Sequence, residues 1–462
     1  MSGSTAIQSN FSSHSDNGVG PKSTHSVWIK RTDPSGDTRS TIISGMNGSA
    51  GYMKVRFADD DRLMAYGTNS SGTNCDVQTK RNFRDVMGWI HVVLQIDTSA
   101  GTASDRVKWY VNGELQELHG TPTYPSQGDR NHLTTADDLE IGRNAHADDE
   151  HFDGYMSHFH CTDGYLTAPS VFGSTDSVTG EWKVNSSPTV ANYGTYGYWI
   201  FKDGTNLSGS TVQDQSGQGN NFTVTQGTLT PTHDNPSNIF CTLNSVTGMS
   251  SPTFSNGNLK TTSSSDNQRI SGTIPSKAGY YEVKLGTAPV GASGKGLAFG
   301  VTDVTNYNET NNWNITATRL MRTNYAYDAH YSTENFGGGN SWENVTTGVT
   351  ASSGHIIMVA WKNGKVYYGY NGTWFFSANP SNNTDGSTQV PLADTNAYQL
   401  PIFKSNITGA DNAEFNFGNG YFGTTAVSSN SGTGYQDSNG QGKFYYQPPT
   451  GTYACCKKNL NI

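Results

Sequence analysis

Residues 88–118, GWIHVVLQIDTSAGTASDRVKWYVNGELQEL, leave the backbone few options. Residues 89–96 read as a strand of the buried type, the 97–105 segment reverses it, and residues 107–111 form a second strand. Asn112-Gly113 then turns the chain into residues 114–118. Both of these residues accept the positive φ of a type I′ turn, so the pair predicts a tight antiparallel hairpin. The same grammar recurs at 26–30, 40–43, 52–57, 62–66 and 136–144, with Met53, Val55 and Phe57 on one face of their strand. Composition agrees: 53 glycines, 24 tyrosines, 19 phenylalanines and 15% charged residues suit many short strands joined by polar turns, whereas helices need more Ala, Leu, Glu and Lys. The chain is predicted to be all-β.

A break in this rhythm sets the domain organisation. FDGYMSHFHCTDGYLTAPSVF, residues 152–172, gives a half-buried strand, a turn at Thr162-Asp163-Gly164 and an apolar run interrupted by Pro169. Strand signals then thin out for about seventy residues, with exceptions at 198–201 and 222–224. They resume at 280–285, 296–301, 355–361, 365–370 and 413–417, with Asn363-Gly364 and Asn371-Gly372 as turns. The expected plan is an N-terminal arm or edge strand at 1–25, a β-sandwich at 26–172, an ordered irregular connector at 173–240 and a second β-sandwich at 241–462. A connector so long and aromatic is expected to pack against a domain.

A net charge of −9 without a Lys/Arg cluster opposes nucleic-acid binding. No apolar run is long enough to span a bilayer, so no membrane insertion is expected. The start MSGSTAIQSNFSS lacks the pattern of a signal peptide, which predicts synthesis in a cytosol. Five cysteines, odd in number and without metal spacing, read as buried thiols.

The sequence carries few catalytic signals. Glu114 and Glu117 are three apart beside a hairpin turn, so they do not form a glycosidase pair on one strand face. There is no Gly-x-Ser-x-Gly elbow, and GASGKG lacks the spacing of a phosphate loop. The chain is expected not to be an enzyme. Acidic runs occur at Asp59-Asp60-Asp61, at Asp137-Asp138 and at Asp148, Asp149 and Glu150 with Asp153. The last could offer several oxygens to calcium. No cofactor is otherwise required. His158 and His160 share a strand face and read as packing residues rather than metal ligands. Residues 311–344 concentrate Trp313, Tyr325, Tyr327, Tyr331 and Trp342 in polar surroundings, where rings suit sugar or protein contact, and these five are the candidate ligand-binding residues.

Three resemblances follow from the residues. Ser26-Val-Trp-Ile-Lys, Trp89-Ile-His-Val-Val, Trp109-Tyr-Val-Asn-Gly, Ile141-Gly-Arg and Phe152-Asp-Gly-Tyr resemble, in order and spacing, a laminin-G-like domain of the concanavalin A-like superfamily, which implies a two-sheet jelly roll. GYYEVKL, LAFGV, VAWKNGKVYYGYNGTW and FNFG resemble a SPRY domain, with Trp361-Lys362 departing from the acidic residue often found there. The phrases FDGYMSHFHCTDGYLTAPSVFG, TGEWK, YGTYGYWIF, DQSGQGNNF and DNPSNIFCTLN resemble structural proteins of tailed bacteriophages, notably marine cyanobacterial ones. Together these imply a virion protein, a fibre, capsid decoration or tail appendage. It would present carbohydrate- or host-surface-binding loops, contact other virion proteins and form a homo-oligomer. A purely architectural capsid cement and a polysaccharide-degrading tailspike are the rival expectations.

Overall fold

The computed structural model describes residues 5–9, 21–34, 39–48, 51–135, 138–249, 252–263, 266–286, 296–306, 318–324, 328–333, 349, 351–385, 392, 394–406, 411–428 and 433–462. The chain folds as two units, Met1–Pro231 and Thr232–Ile462, and both are β-sandwiches.

The first unit begins with β1 (Ala6–Ser9), β2 (Lys22–Arg31), β3 (Ser40–Met46), β4 (Gly51–Phe57), β5 (Arg62–Asn69) and β6 (Gly72–Asn82). It continues with β7 (Ile90–Asp97), β8 (Val107–Val111), β9 (Glu114–Leu115), β10 (Asp138–Ile141), β11 (Gly154–Asp163), β12 (Gly173–Thr175) and β13 (Trp182–Val184). β14 (Tyr198–Ile200), β15 (Leu207–Ser208), β16 (Thr211–Val212) and β17 (Phe222–Gln226) complete it. Among the described residues a nine-stranded sheet, β15-β16-β17-β1-β10-β3-β4-β5-β6, faces a six-stranded one, β14-β11-β2-β7-β8-β9. Alternation decides what lies between them. Val55, Phe57, Leu63, Val77 and Ile141 point inward from the large sheet and meet Val27, Ile29, Leu94, Trp109 and Phe159 from the small one. The Trp109 indole donates across the gap to the Val77 carbonyl at 3.0 Å, so its one polar atom is satisfied in the core. The expected hairpin turn is present, with φ 50 at Asn112 and φ 80 at Gly113.

The first unit adds to the sequence reading at its N-terminus, in the connector and at β6. Within the stretch expected to be an arm or edge strand, the described residues Ala6–Ser9 form an inner strand: β1 lies between β10 and β17, and Ile7, opposite Ile141 and Val224, is fully buried. The connector packs against a domain as expected, and most of it belongs to the first unit: β14 pairs with β11 and β17 with β1, burying Tyr198, Ile200 and Phe222. β6 gave no apolar signal, since only Cys75, Val77 and Thr79 of its eleven residues are buried.

Rings of the small sheet and of residues 172–199 build a second layer on the outer face of that sheet. There His91 stacks between Trp28 and Trp182, with ring centroids at 5.0 and 6.0 Å, while His160 lies 4.8 Å from Trp199 and 4.9 Å from Phe172. A Cβ on Gly113 would come within 2.5 Å of the Trp182 ring, so that turn glycine also makes room for the β12–β13 hairpin.

The second unit holds β18 (Leu243–Met249), β19 (Thr253–Ser255), β20 (Lys260–Ser263), β21 (Asp266–Gly272), β22 (Gly279–Leu285), β23 (Leu297–Asp303), β24 (Thr318–Asn324) and β25 (Asp328–Thr333). It continues with β26 (Ile356–Lys362), β27 (Lys365–Tyr370), β28 (Thr373–Trp374), β29 (Gln399–Asn406) and β30 (Asp411–Asn416), and a short hairpin follows at 421–426. Its two main sheets run β18-β21-β29-β23-β24-β25 and β19-β20-β30-β22-β26-β27-β28. Tyr281, Val283, Phe299, Val359, Trp361, Phe403 and Phe415 fill the space between them. On the opposite side of β22, buried Glu282 accepts from the Tyr280 hydroxyl, Asn416 and the backbone N–H groups of Tyr445 and Tyr446. That carboxylate ties the C-terminal residues to the sheet.

Candidate functional site

The outward face of the nine-stranded sheet carries the most polar construction in the first unit. One row of directly opposed residues crosses seven strands: Thr223, Gln8, Glu140, Ser44, Lys54, Tyr66 and Asp76. Flanking rows hold Thr41, Arg56, Met64 and Gln78 on one side and Met46, Tyr52, Thr68 and Thr73 on the other. This face is the complement of the core. Because Met53, Val55 and Phe57 turn inward, Tyr52, Lys54 and Arg56 must turn outward.

Residues 142–150 strap across the middle of the face. The Ser44 hydroxyl donates to the Arg143 carbonyl at 2.8 Å and accepts from the Ala145 N–H at 2.8 Å, while the Thr41 N–H donates to the Glu150 carbonyl at 2.7 Å. Arg143 clasps Glu140 and reaches Asp148 at 2.5 Å. Glu150 takes Lys54 at 3.0 Å, Arg56 at 2.5 Å and the Thr41 hydroxyl at 3.0 Å. Asp148 and Glu150 both have φ 53, a left-handed conformation uncommon outside glycine and held here by these contacts. Tyr52 stacks on exposed His146 at 4.6 Å and lies 6.1 Å from Tyr66, and the Lys54 head sits 5.6 Å and 5.8 Å from the two tyrosine rings.

Burial dominates the electrostatics of this face. It lowers the Lys54 pKa, with the Glu150 contact working the other way. It raises that of Tyr52 and that of Glu140, the latter opposed by Arg143. The carboxylates are thus engaged by cations, and what the face offers outward is half-buried rings beside charged hydrogen-bonding groups.

The acidic residues expected to serve calcium are placed by this geometry. Asp148 pairs with Arg143, Asp149 accepts from Asn144 at 2.7 Å, and Glu150 is held by Lys54 and Arg56. The Asp153 carbonyl accepts from the Thr32 N–H. The first three carboxylates therefore answer to separate partners, and among the described residues no group of three His, Cys, Asp or Glu side chains could hold a metal ion. Asp59, Asp60 and Asp61 likewise diverge, to Arg39, Arg62 and Arg31 with Arg84. A bulge separates Ser157 from His160 in β11, and His160 bonds the Tyr193 hydroxyl at 2.9 Å within the aromatic layer. Of the ring residues, Trp313, Tyr325, Tyr327 and Trp342 lie outside the described residues, and Tyr331 sits in β25 opposite Met321. Sequence reading passed over Tyr52, Lys54, Arg56 and Tyr66, although the alternation of residues 52–57 already put the first three on one face.

Residues 2–172 match the profile of the concanavalin A-like lectin/glucanases superfamily, in its laminin G form. No curated protein matches the chain. Among solved structures it is similar to a protein of Bacteroides ovatus ATCC 8483 described as a candidate carbohydrate binder, with 17% identity over 50% of this chain and TM-score 0.31; the match spans 61% of that protein. It is also similar to mouse laminin alpha1 chain domains LG4-5, with 9% identity, 89% of this chain, 84% of that one and TM-score 0.28. The SPRY domain of human HERC1 matches with 13% identity over 37% of this chain and 96% of that domain, TM-score 0.27. The profile match gives the sandwich of the first unit a concanavalin A-like fold.

Proposed function

We propose that this chain is a non-enzymatic structural protein of a tailed-phage virion whose first unit binds host-surface saccharide on the outward face of its large sheet. One observation carries the reading. Tyr52, Tyr66 and His146 gather beside charged donors and acceptors already fixed by their own ion pairs, the mixture of ring surface and oriented polar groups that a sugar's apolar and hydroxyl faces require. The phage-like phrases support the virion placement, and weak single-site affinity suffices where many copies act together.

The test has two arms. Cryo-electron microscopy of the particle is expected to show the chain on the capsid or tail, and its absence there would overturn the virion reading. On an array of host polysaccharide fragments the purified protein is expected to bind, and Tyr52→Ala with Tyr66→Ala to lose about tenfold or more in affinity. Undiminished binding by these variants would move the site elsewhere, and shortened fragments would make the protein a hydrolase.

A further inference from the structure

Lys54 and Arg56 are successive outward residues of β4, and both are almost fully buried, 5% and 6% exposed. They repel each other and together carry far more N–H donors than one carboxylate can accept. Among the described residues, the acceptors bonded to their heads are the Glu150 carboxylate and, for Arg56, the sulfur of Met64 at 3.5 Å. Arg56 Nε is buried and meets no acceptor. The strands around the pair supply neutral groups, Thr41 and Ser44 from β3, Met64 and Tyr66 from β5, and Tyr52 from β4 itself, while Asp149 of the strap adds a second, weaker negative charge acting on Lys54. Arg39, which also approaches Glu150 at 3.7 Å, adds a third cation and is paired with exposed Asp59. Glu150 reaches the pair from a left-handed backbone position in a segment whose residues 146–149 are exposed.

We infer that Lys54 and Arg56 form an oxyanion seat that Glu150 fills in the free protein, and that an acidic saccharide, through a carboxylate or sulfate group, binds by taking the place of Glu150. The inference rests on the saccharide-binding reading and narrows it to acidic glycans. A second oxyanion satisfies the same cations, and the Glu150 side chain swings out while the backbone of the strap stays held by Ser44, Glu140 and Thr41. A neutral sugar has nothing with which to make the exchange.

Thermal unfolding of the full chain tests this. Glu150→Gln leaves two buried cations without their acid and lowers the melting temperature of the first unit. Sodium sulfate or sodium glucuronate is expected to restore it in a saturable way where sodium chloride at equal ionic strength does not, and adding Lys54→Met to that variant is expected to abolish the rescue. Rescue by sulfate alone assigns sulfated glycans, and rescue by glucuronate alone assigns uronates. Equal effects of all three salts would overturn the seat. If Glu150→Gln does not fold, the wild type decides: it should bind a uronate-containing oligosaccharide about tenfold more tightly than the carboxyl-reduced form, and Lys54→Gln should erase that preference. Equal affinity for the two would overturn the seat while leaving saccharide binding intact. Rescue by an anion without any oligosaccharide binding would support the seat and refute the glycan reading.

Discussion

Asp61 shows how far a side chain's role can lie from its neighbours in sequence. Its fully buried carboxylate takes Arg31 at 2.9 Å and Arg84 at 2.8 Å, and Arg31 also lies over the Phe57 ring at 4.1 Å and donates to the Phe83 carbonyl at 2.6 Å. Asp61→Ala would strand the Arg31 guanidinium in the core, a change of the kind that costs about 3–5 kcal/mol. Urea unfolding of the first unit should register that loss, and a loss below about 1 kcal/mol, the scale of an exposed pair, would contradict the assignment. In the sequence, three consecutive aspartates read as one acidic cluster. The left-handed turn at Asp61, φ 68, and partners tens of residues away divide them instead, and neither is visible in a local pattern. Lys54 and Arg56 were legible as outward residues of an alternating strand. That Glu150 would cover them was not, because loop-to-sheet pairing over ninety residues leaves no periodic trace.

At the level of elements, strong alternation was enough. β2, β4, β7, β8, β22, β26 and β27 lie where their patterns put them. β1 and β6 escaped because few of their residues are apolar, and β29 because Pro401, opposite Val301 in a central strand, reads as a strand breaker. The β12–β13 hairpin was hidden for another reason: it is held by side-chain stacking rather than by pairing with a main sheet. Trp182 Nε1 donates to His91 Nδ1 at 3.0 Å, so His91 carries its proton on Nε2, toward Ser26 Oγ at 2.8 Å. Burial holds His25 and His91 down to about 3 and His158 to about 4, and lowers His160 as well. A folded pKa below the unfolded value of 6.5 means that the unfolded chain takes up protons first. The stability is therefore present above pH 6.5 and is lost as pH falls toward 3, by about 2 kcal/mol at pH 5 for His25 or His91. Glu282 in the second unit has the opposite sign: burial lifts it from 4.5 to about 7, so its contribution is present below pH 4.5 and is lost as pH rises through 7. Calorimetry from pH 8 to pH 5 should move the transition of the first unit down, and Glu282→Gln should flatten the pH dependence of the second. A first-unit transition insensitive to pH would contradict the buried neutral histidines.

For the molecule as a whole, the two-sandwich plan was legible, since both halves repeat the same grammar of strands and Asn-Gly turns. What composition hid was the ownership of the intervening residues. Tyr198, Ile200 and Phe222 lie in two short, isolated strand signals that do not say which domain they join, yet each is fully buried in the first unit. Two surfaces compete for saccharide: the outward face of the large sheet in the first unit, and residues 311–344 in the second. Hydrogen–deuterium exchange of the full chain, with and without a saturating oligosaccharide from the array, measures this directly. Slower exchange in residues 51–57, 62–69 and 142–151, and no change in 311–344, is the predicted result. Protection confined to residues 311–344 would contradict the assignment of the binding face.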